Sequence, residues 1–240
     1  MKRREARNFY LYTAPWLIGF FVLTLYPIVY SFYLMFTDMN LTGVGKFIGL
    51  ENLKYAFTDD PLFIKAFINT LKYVVMFVPS SIILAFFVAL LLSKKVKGLG
   101  FFRTAFYIPY ITSGVAVTIL WGWIYQKDYG IINYVLSLFG IKGVNWLGDK
   151  NIAMISIVIL SLWTIGNNII IMLAGIQDIP QSYYESAQID GAGAIRQIFS
   201  ITLPLCTPTI YFNLIVTIIA AFQVFQQPLI LTNGGPLNST

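Results

Sequence analysis

Residues 183–204 read YYESAQIDGAGAIRQIFSITLP, a polar segment in a chain whose flanking regions are long runs of Leu, Ile, Val and Phe. Ser182 and Glu185 have the S-x-x-E spacing of a capping box, which predicts a short helix at the start of this segment. Asp190-Gly191 predicts the end of that helix, because glycine readily adopts the positive φ of a helix C-terminus. The segment therefore begins with one short helix that is delimited at both ends.

A second short helix is expected from about Gly193 to Thr202. Pro204 follows it and is expected to open the next helix, where a missing N–H group has little cost. The two short helices and the glycine between them form an elbow, a name we use for residues 177–204. From local physics alone, the elbow is either a structured connector between two longer helices or a surface that docks on a partner protein.

The composition is that of a membrane protein. Of the 240 residues, 58% are hydrophobic and 11% are charged, and the mean hydropathy is +0.73. In a soluble domain, by contrast, about a quarter of the residues are charged. The net charge of +6 comes from basic residues at the ends of apolar runs rather than from one patch. This distribution predicts contact with the lipid bilayer and no nucleic-acid partner.

The sequence offers little chemistry for catalysis. It contains no His and a single Cys, Cys206. These counts predict no metal site and no redox chemistry, and they exclude a disulfide within the chain. The phosphate-binding pattern G-x-x-x-x-G-K-[ST] does not occur, and the apolar runs contain no pair of carboxylates. We therefore expect no catalytic residues and no cofactor bound by this chain.

Five stretches are long and apolar enough to cross a bilayer, which takes about 20 residues. The first follows the basic N-terminus and is too long for the core of a signal peptide, so it is expected to be retained. The predicted fold is an all-α, polytopic membrane helix bundle in which the elbow joins the fourth and fifth spans. The spans are predicted at about residues 13–36, 72–93, 107–125, 152–176 and 205–231.

The charged residues indicate the orientation of the chain. Basic residues are concentrated in residues 1–12 and in the loop 94–103, whereas the segments 38–71 and 126–151 carry both signs of charge. Because positive loops stay in the cytoplasm, the N-terminus, the loop 94–103 and the elbow are predicted to be cytoplasmic. The last residues, 232–240, are then external.

The predicted spans carry neutral polar side chains and, apart from Lys72 at a span edge, no charge. This absence argues against a proton-coupled carrier, because such carriers usually keep ionisable groups inside the bundle. Ser161, Thr164 and Asn168 are spaced to share one face of the fourth span, and a similar stripe occupies the fifth. These side chains either join helices through hydrogen bonds or line a pathway for a hydroxyl-rich solute such as a sugar. The candidates are Ser161, Thr164, Asn167, Asn168, Asn213, Thr217, Gln223 and Gln227.

Within the elbow, Glu185-Ser186-Ala187 is followed by three residues, Gly191, nine residues, Ile201 and then Leu203-Pro204. This spacing resembles the EAA signature of the permease subunits of binding-protein-dependent ABC importers, with Ser186 in place of the usual middle Ala. Further landmarks resemble the maltose and multiple-sugar branch of carbohydrate-uptake permeases. They include KGLGFFRTAFYIP at 97–109, LWGWIYQKDYGIINYVL at 120–136, NWLGD at 145–149, LAGIQDIP at 173–180 and LTNGGPLNST at 231–240.

The resemblance implies a multi-pass protein of a bacterial-type plasma membrane that imports a sugar delivered by an extracytoplasmic solute-binding protein. A second, homologous permease subunit would complete the pathway, and a dimer of cytoplasmic ATPase subunits would bind and use ATP and Mg. The resemblance also implies that the elbow is a coupling helix, which inserts into a cleft of the ATPase. The residues assigned to coupling on this ground are Glu185, Ser186, Ala187, Asp190, Gly191, Ile201, Leu203 and Pro204.

The resembling family usually has six spans with both ends in the cytoplasm, whereas this sequence ends at Thr240 on the predicted outer side. We therefore expect a sixth span that the sequence does not include. Two alternative functions remain open. The chain could be a carrier or channel for a neutral solute that works without an ATPase, or an ABC permease for a non-sugar solute such as a glycerol phosphate or a peptide.

The orientation can be tested with reporter fusions. A reporter that is active only in the cytoplasm is expected to be active when fused after Gly98 and inactive when fused after Gly143, because the positive-inside rule places these loops on opposite sides. A phosphatase that is active only outside the membrane serves as the reciprocal control. The opposite pattern in both series would reverse the topology and remove the elbow from the cytoplasm.

Overall fold

The computed structural model describes residues 2–39, 43, 45–94 and 98–240. Lys95 and Lys97 of the basic loop lie outside the described residues. The chain divides into two units, residues 1–64 and 65–240, and the boundary falls inside one long helix. Among the described residues there is no β-strand beyond a single isolated bridge between Thr37 and Phe47. The predicted all-α fold is therefore confirmed.

The first unit consists mainly of one long helical segment. Helix α1 (Lys2–Gly19) continues through a π-helical stretch (Phe20–Leu25) into α2 (Tyr26–Met35). The part from Arg7 to Met35 is long and apolar enough to cross a membrane. A short helix, α3 (Glu51–Lys54), follows, and the Asn52 amide donates hydrogen bonds to the carbonyls of Met35 (3.1 Å) and Thr37 (2.9 Å). These bonds tie the short helix to the end of the long segment.

Helix α4 (Pro61–Ser93) has 33 residues and is the second unbroken helix long enough to span a membrane. Its residues from Lys65 onward belong to the second unit. The half of α4 nearer its C-terminus packs with helix α9 (Gly166–Gln177) in a buried cluster that includes Ala85, Ala89 and Cys206. The other half packs with helix α8 (Ala153–Trp163) in a second cluster. Helix α4 is therefore the axis of the second unit.

Two further apolar segments of this unit are bent helix pairs rather than straight spans. Helix α5 (Leu99–Ile111) meets α6 (Gly114–Ile124) at 99°, and α8 meets α9 at 51°. The continuous helix expected over 107–125 is therefore wrong. Thr112 is extended between α5 and α6, and Pro109 already removes one helical hydrogen bond just before it.

The last predicted span, 205–231, is also interrupted. Residues Ala194–Leu205 form one helical segment that bends by 66° into α13 (Thr207–Phe222), and α14 (Gln226–Leu231) follows after a break. The expectation that Pro204 opens this span is wrong, because Pro204 lies inside the preceding segment, in the short helix α12 (Leu203–Leu205). Pro208 occupies the first turn of α13 instead. If each bent pair is counted as one span, the described helices provide up to five spans by length and composition.

A polar hub organises the segment between α6 and α8, which contains helix α7 (Ile131–Leu138). The buried Asn133 amide donates to the carbonyls of Lys127 and Val144, both at 2.8 Å. Its oxygen accepts hydrogen bonds from the Val144 N–H (3.0 Å) and the Trp146 indole (2.9 Å). One side chain thus satisfies four backbone and side-chain groups, which explains why a buried asparagine is present there.

The final residues fold back onto the start of α4. The Asn69 amide donates to the carbonyl of Asn238 at 2.9 Å, and the Lys65 ammonium donates to the carbonyl of Leu237. Gly235 makes the return possible, because its φ of +73° lies in the region that favours glycine. Residues 232–240 therefore lie beside α4 at the end of the unit that is remote from the elbow.

The contact between α5 and α9 depends on Gly166. A Cβ at this position would lie 2.3 Å from the Phe106 carbonyl oxygen, which belongs to backbone and cannot give way easily. We expect Gly166→Ala to lower the free energy of unfolding by about 1–3 kcal/mol through overpacking, measured as a lower Tm of the purified protein. Gly100→Ala is the matched control, because a Cβ there meets no atom within 4 Å. Equal Tm values for the two variants would contradict a tight contact at Gly166.

Candidate functional site

The first helix of the elbow starts two residues earlier than the sequence predicts, at Gln181 rather than near Tyr183. Helix α10 (Gln181–Ile189) begins directly after Pro180, which is extended with a ψ of 133°. Ser182 therefore already lies in the first turn, and no side chain caps this helix end. The predicted capping box of Ser182 and Glu185 is wrong for this reason.

The end of α10 confirms the predicted break at Asp190-Gly191. Gly191 has a φ of +75°. Its N–H donates to the carbonyl of Gln188 at 3.0 Å, and the Ala192 N–H donates to the carbonyl of Ala187 at 2.8 Å. These two bonds are the pair that defines a Schellman motif, which satisfies the last carbonyls of a helix. The glycine is required here because the left-handed backbone is strained for other residues.

The second arm of the elbow runs from Ala194 to Leu205 and is longer than the predicted 193–202. It consists of α11 (Ala194–Gln197), a π-helical turn (Ile198–Thr202) and α12. The hydroxyl groups of Tyr184 and Thr202 are hydrogen-bonded at 3.0 Å, and the Gln197 amide donates to the carbonyl of Ala192 at 2.8 Å. These contacts fix the angle between the two arms.

The residues assigned to coupling are distributed over both sides of the elbow. Leu203 packs against the buried cluster of α4 and α9, and Ala187 and Ile201 are also partly buried. The elbow nevertheless exposes apolar side chains, including Ile189 at 87%, Ile195 at 73% and Phe199 at 64%. Exposed apolar groups on a polar segment are typical of a docking surface. The coupling residues that are exposed are Glu185, Ser186, Asp190, Gly191 and Pro204.

Seven of the eight predicted pathway residues line one cavity of about 450 Å³ in the second unit, which we call the polar cavity. They come from stretches about fifty residues apart in sequence, and no charged side chain lies among the lining residues. The seven are Ser161, Thr164, Asn167, Asn168, Thr217, Gln223 and Gln227.

Helix breaks, not continuous stripes, bring these residues together. The predicted stripe of the fourth span is wrong, because Thr164 ends α8 whereas Asn168 lies on α9 beyond the bend. The predicted stripe of the fifth span is wrong as well, because Gln223 follows the end of α13 and Gln227 lies on α14. Polar groups at such breaks face a cavity instead of lipid, which is the location that membrane proteins allow for irregular backbone.

Four of the seven residues also form hydrogen bonds within the protein. The Tyr73 hydroxyl donates to Ser161 Oγ at 2.9 Å, and the Asn168 amide donates to Thr217 Oγ1 at 2.9 Å. Thr164 donates to the carbonyl of Ser161 at 2.9 Å. Among the described residues, the side chains of Asn167, Gln223 and Gln227 form no such bond, so their amides are available to a ligand.

Asn213 is the predicted pathway residue that does not line the polar cavity. Its side chain is 1% exposed and its Nδ2 has no hydrogen-bond partner among the described residues. A buried amide without a partner costs about 1–3 kcal/mol. The spacing along α13 placed Asn213 with Thr217, but the structure places its side chain in the packed interior.

Sequence reasoning missed the aromatic part of the polar cavity. Tyr73, Phe77, Tyr110 and Phe225 line it together with the polar groups. A tyrosine in the middle of an apolar helix was a usable signal for Tyr73, because a buried phenol needs a hydrogen-bond partner. The cavity thus combines amides, hydroxyls and aromatic faces. Such a lining suits a neutral, hydroxyl-rich solute better than an ion.

Residues 61–240 match the family described as "Binding-protein-dependent transport system inner membrane component". The chain is 39% identical to the probable ABC transporter permease protein YesP of Bacillus subtilis, over 99% of this chain and 78% of that protein. It is 35% identical to the arabinooligosaccharides transport system permease protein AraP of Bacillus subtilis, over 95% of this chain and 74% of that protein. It is 34% identical to the trehalose/maltose transport system permease protein MalF of Thermococcus litoralis, over 100% of this chain and 82% of that protein.

Solved structures resemble the whole fold. A chain of a bacterial ABC transporter involved in the import of the acidic polysaccharide alginate matches with a TM-score of 0.75 and 27% identity, over 95% of this chain and 79% of that chain. A chain of the bacterial alginate ABC transporter in complex with an alginate pentasaccharide-bound periplasmic protein matches with a TM-score of 0.76 and 26% identity, over 96% and 78%. The bent helix pairs and the elbow therefore belong to an arrangement that other transport proteins share.

Proposed function

Because the chain belongs to the family of binding-protein-dependent transport system inner membrane components, we propose that it forms, with a second related permease, the path for a sugar or oligosaccharide across the membrane. It is a multi-pass permease subunit of an ABC importer, and its role is transport rather than catalysis. Family membership argues against the carrier or channel that works without an ATPase. A non-sugar solute is the remaining alternative.

The observation that carries the sugar substrate is the polar cavity itself. Eight neutral polar side chains from two distant stretches, the seven predicted ones and Gln226, meet in about 450 Å³, beside aromatic rings and without a charged group. Sugars present many hydroxyls, which amides and hydroxyls bind, and apolar ring faces, which aromatic side chains contact. The names of the relatives, which transport arabinooligosaccharides and trehalose or maltose, support the same substrate class. A phosphate or a peptide carboxylate would gain no ion pair from this lining.

The elbow is proposed as the contact for a separate ATPase subunit, which would bind ATP and Mg. Its two arms are held at a fixed angle by the Tyr184–Thr202 hydrogen bond, and it exposes Ile189, Ile195 and Phe199. A rigid element can transmit a displacement of the ATPase to α9 and α13, which continue directly from its ends. The exposed apolar side chains would supply the buried area of the docking contact.

The proposed orientation follows the positive-inside rule. The N-terminus and the elbow would face the cytoplasm, and residues 232–240 would face the outside, where a solute-binding protein delivers the substrate. The polar cavity would then be loaded from the end of the bundle opposite the elbow. The charge distribution supports this direction, because the basic loops and the elbow fall on the same predicted side.

Two adjacent asparagines allow substrate contact to be separated from helix packing. Asn168→Ala removes the interhelical bond to Thr217 and is expected to cost about 0.6 kcal/mol or somewhat more, which lowers the Tm of the assembled complex. Asn167→Ala removes an amide that forms no hydrogen bond with the described residues of the protein. We expect an unchanged Tm and a two- to tenfold slower uptake, at about 0.5–1.5 kcal/mol for one lost hydrogen bond to substrate.

The measurement is uptake of the sugar by proteoliposomes, normalised to the amount of assembled importer, together with the Tm of each variant. Gln126→Ala is the control for loss of an amide outside the polar cavity. Normal uptake by Asn167→Ala, or a loss that follows the loss of complex, would contradict the proposed pathway.

The coupling role can be tested with two glycines that have the same local structure. Gly140 ends α7 with a φ of +70° and the same pair of Schellman bonds that Gly191 forms at the end of α10. Proline cannot adopt these φ values and lacks the N–H group, so Gly140→Pro and Gly191→Pro disturb the backbone equally. We expect both variants to insert into the membrane, but only Gly191→Pro to lose the ATPase and substrate uptake.

Co-purification of the ATPase and transport-linked ATP hydrolysis are the measurements. Glu185→Lys, a charge reversal on the exposed side of α10, is expected to weaken ATPase retention without changing the Tm. Wild-type ATPase retention and activity in Gly191→Pro and Glu185→Lys would remove the elbow from the coupling contact.

A further inference from the structure

A second cavity, of about 460 Å³, lies at the end of the bundle opposite the elbow and is lined by three lysines. We call it the lysine cavity. Lys65 and Lys72 come from α4, and Lys150 comes from the turn before α8. Asn69, Asn151 and Ser239 complete the polar part of its wall. None of the lysines lies in the polar cavity, and the proposed function assigns them no role.

The fold brings these lysines together by two separate means. Lys65, Asn69 and Lys72 are spaced at i, i+4 and i+7, which places them on one face of α4. Residues 232–240 close the cavity from the side, since Asn69 donates to Asn238 and Lys65 donates to the carbonyl of Leu237. An ammonium group carries three donors, so Lys65 keeps two after this bond.

The lysine cavity carries one sign of charge. No acidic side chain is among its lining residues. The carboxylate next to it in sequence, Asp149, already accepts a hydrogen bond from the N–H of Asn151 at 2.8 Å. A cleft lined by charges of one sign raises the local concentration of the opposite ion. Three ammonium groups around such a volume therefore favour an anion.

The lysine cavity is connected with the polar cavity through shared walls. Asn69 also lines a smaller cavity of about 270 Å³, and Tyr73 and Phe225 line both this smaller cavity and the polar cavity. Residues 65, 69, 73 and 77 succeed one another at intervals of four along α4. Residue 65 lines the lysine cavity, residue 69 lines the lysine cavity and the smaller one, residue 73 lines the smaller cavity and the polar one, and residue 77 lines the polar cavity. The three cavities are therefore neighbours along one face of α4.

We propose that the lysine cavity is a recognition subsite for an anionic group on the transported saccharide, so that the importer takes acidic oligosaccharides that carry a carboxylate or sulfonate. This inference rests on the proposed function. Ammonium groups form short, charge-assisted hydrogen bonds with such oxyanions. The volume of the cavity suits one sugar unit rather than the lobe of a protein, and its connection with the polar cavity favours a transported ligand over an acidic protein surface.

The test uses the complete importer, with its binding protein, partner permease and ATPase, in proteoliposomes. The binding protein is first titrated with acidic probes (trigalacturonate, trimannuronate and a sulfonated disaccharide) and with neutral ones (maltotriose and arabinotriose). We expect binding of an acidic probe. Uptake of that probe is then expected to fall about fivefold in Lys72→Gln and in Lys150→Gln, with unchanged Tm. Lys142→Gln, which removes an exposed lysine outside the cavity, is expected to retain wild-type uptake.

Each other outcome has a definite meaning. If the binding protein and the importer take only neutral probes, the anionic subsite is wrong while the sugar importer stands. If they take no saccharide, the proposed function fails as well. A loss of affinity for the substrate-free binding protein that equals the loss of uptake would assign the lysines to protein docking. If the lysine substitutions lower uptake only in vesicles that contain anionic lipid, the lysines bind lipid headgroups. Both results would overturn the proposal.

Discussion

The constraint on which this structure depends is that backbone polar groups in a bilayer need partners within the protein. Helices meet this need, and irregular backbone is tolerated only where it is buried in protein or faces a cavity. Helix α4 (Pro61–Ser93) continues as one helix through its internal Pro79 and contributes to both buried clusters of the second unit. Around it, α8 and α9 are bent at Thr164–Ile165, and α13 and α14 are separated at Gln223–Phe225. Both interruptions line the polar cavity. These two breaks therefore coincide with the polar cavity, whereas the break at Thr112 does not line it.

The two ends of the unit differ in chemistry for related reasons. At one end, the elbow is closed by the Schellman bonds of Gly191 and by the Tyr184–Thr202 pair. These bonds fix the shape of the elbow, and the side chains that stay exposed on it, such as Glu185 and Ile189, remain for the proposed partner. At the other end, residues 232–240 satisfy Asn69 and one donor of Lys65, which leaves ammonium groups facing a cavity. Internal hydrogen bonding thus decides which groups remain for binding at each end.

The sequence predicted the all-α membrane fold, because apolar runs of about 20 residues have few alternatives in a bilayer. It also predicted the helix end at Gly191, since a positive φ selects glycine strongly. It did not predict the bends. A break at Thr112 or Thr164 depends on tertiary contacts, such as the approach of Gly166 to the Phe106 carbonyl, and these contacts have no signature in local periodicity. The predicted capping box was wrong because α10 begins at Gln181, directly after Pro180, so that Ser182 already lies within the helix.

Residue type predicted which polar side chains meet in one cavity better than helical spacing did. Seven of eight polar candidates meet in one cavity, although the helical stripes used to select them do not exist as continuous faces. Residue type was the stronger signal, because a neutral polar side chain in an apolar span needs either a partner or a cavity. Asn213 shows the limit of this signal, since it lies in the packed interior with an unpartnered amide. Spacing alone could not separate it from Thr217, one helical turn away.

Two adjacent asparagines have different surroundings, since one links two helices and the other lines the polar cavity. Successive residues of a helix point about 100° apart, so Asn167 and Asn168 cannot both face α13. Asn168 reaches Thr217 and links the two helices that continue from the elbow, while the amide of Asn167 lines the polar cavity without a partner in the protein. The bonded residue fixes the distance between α9 and α13, and that distance determines the width of the cavity into which its neighbour projects. A displacement of the elbow moves both helices at their other ends. The bond between them therefore lies where a movement driven from the elbow would be converted into a change of the cavity.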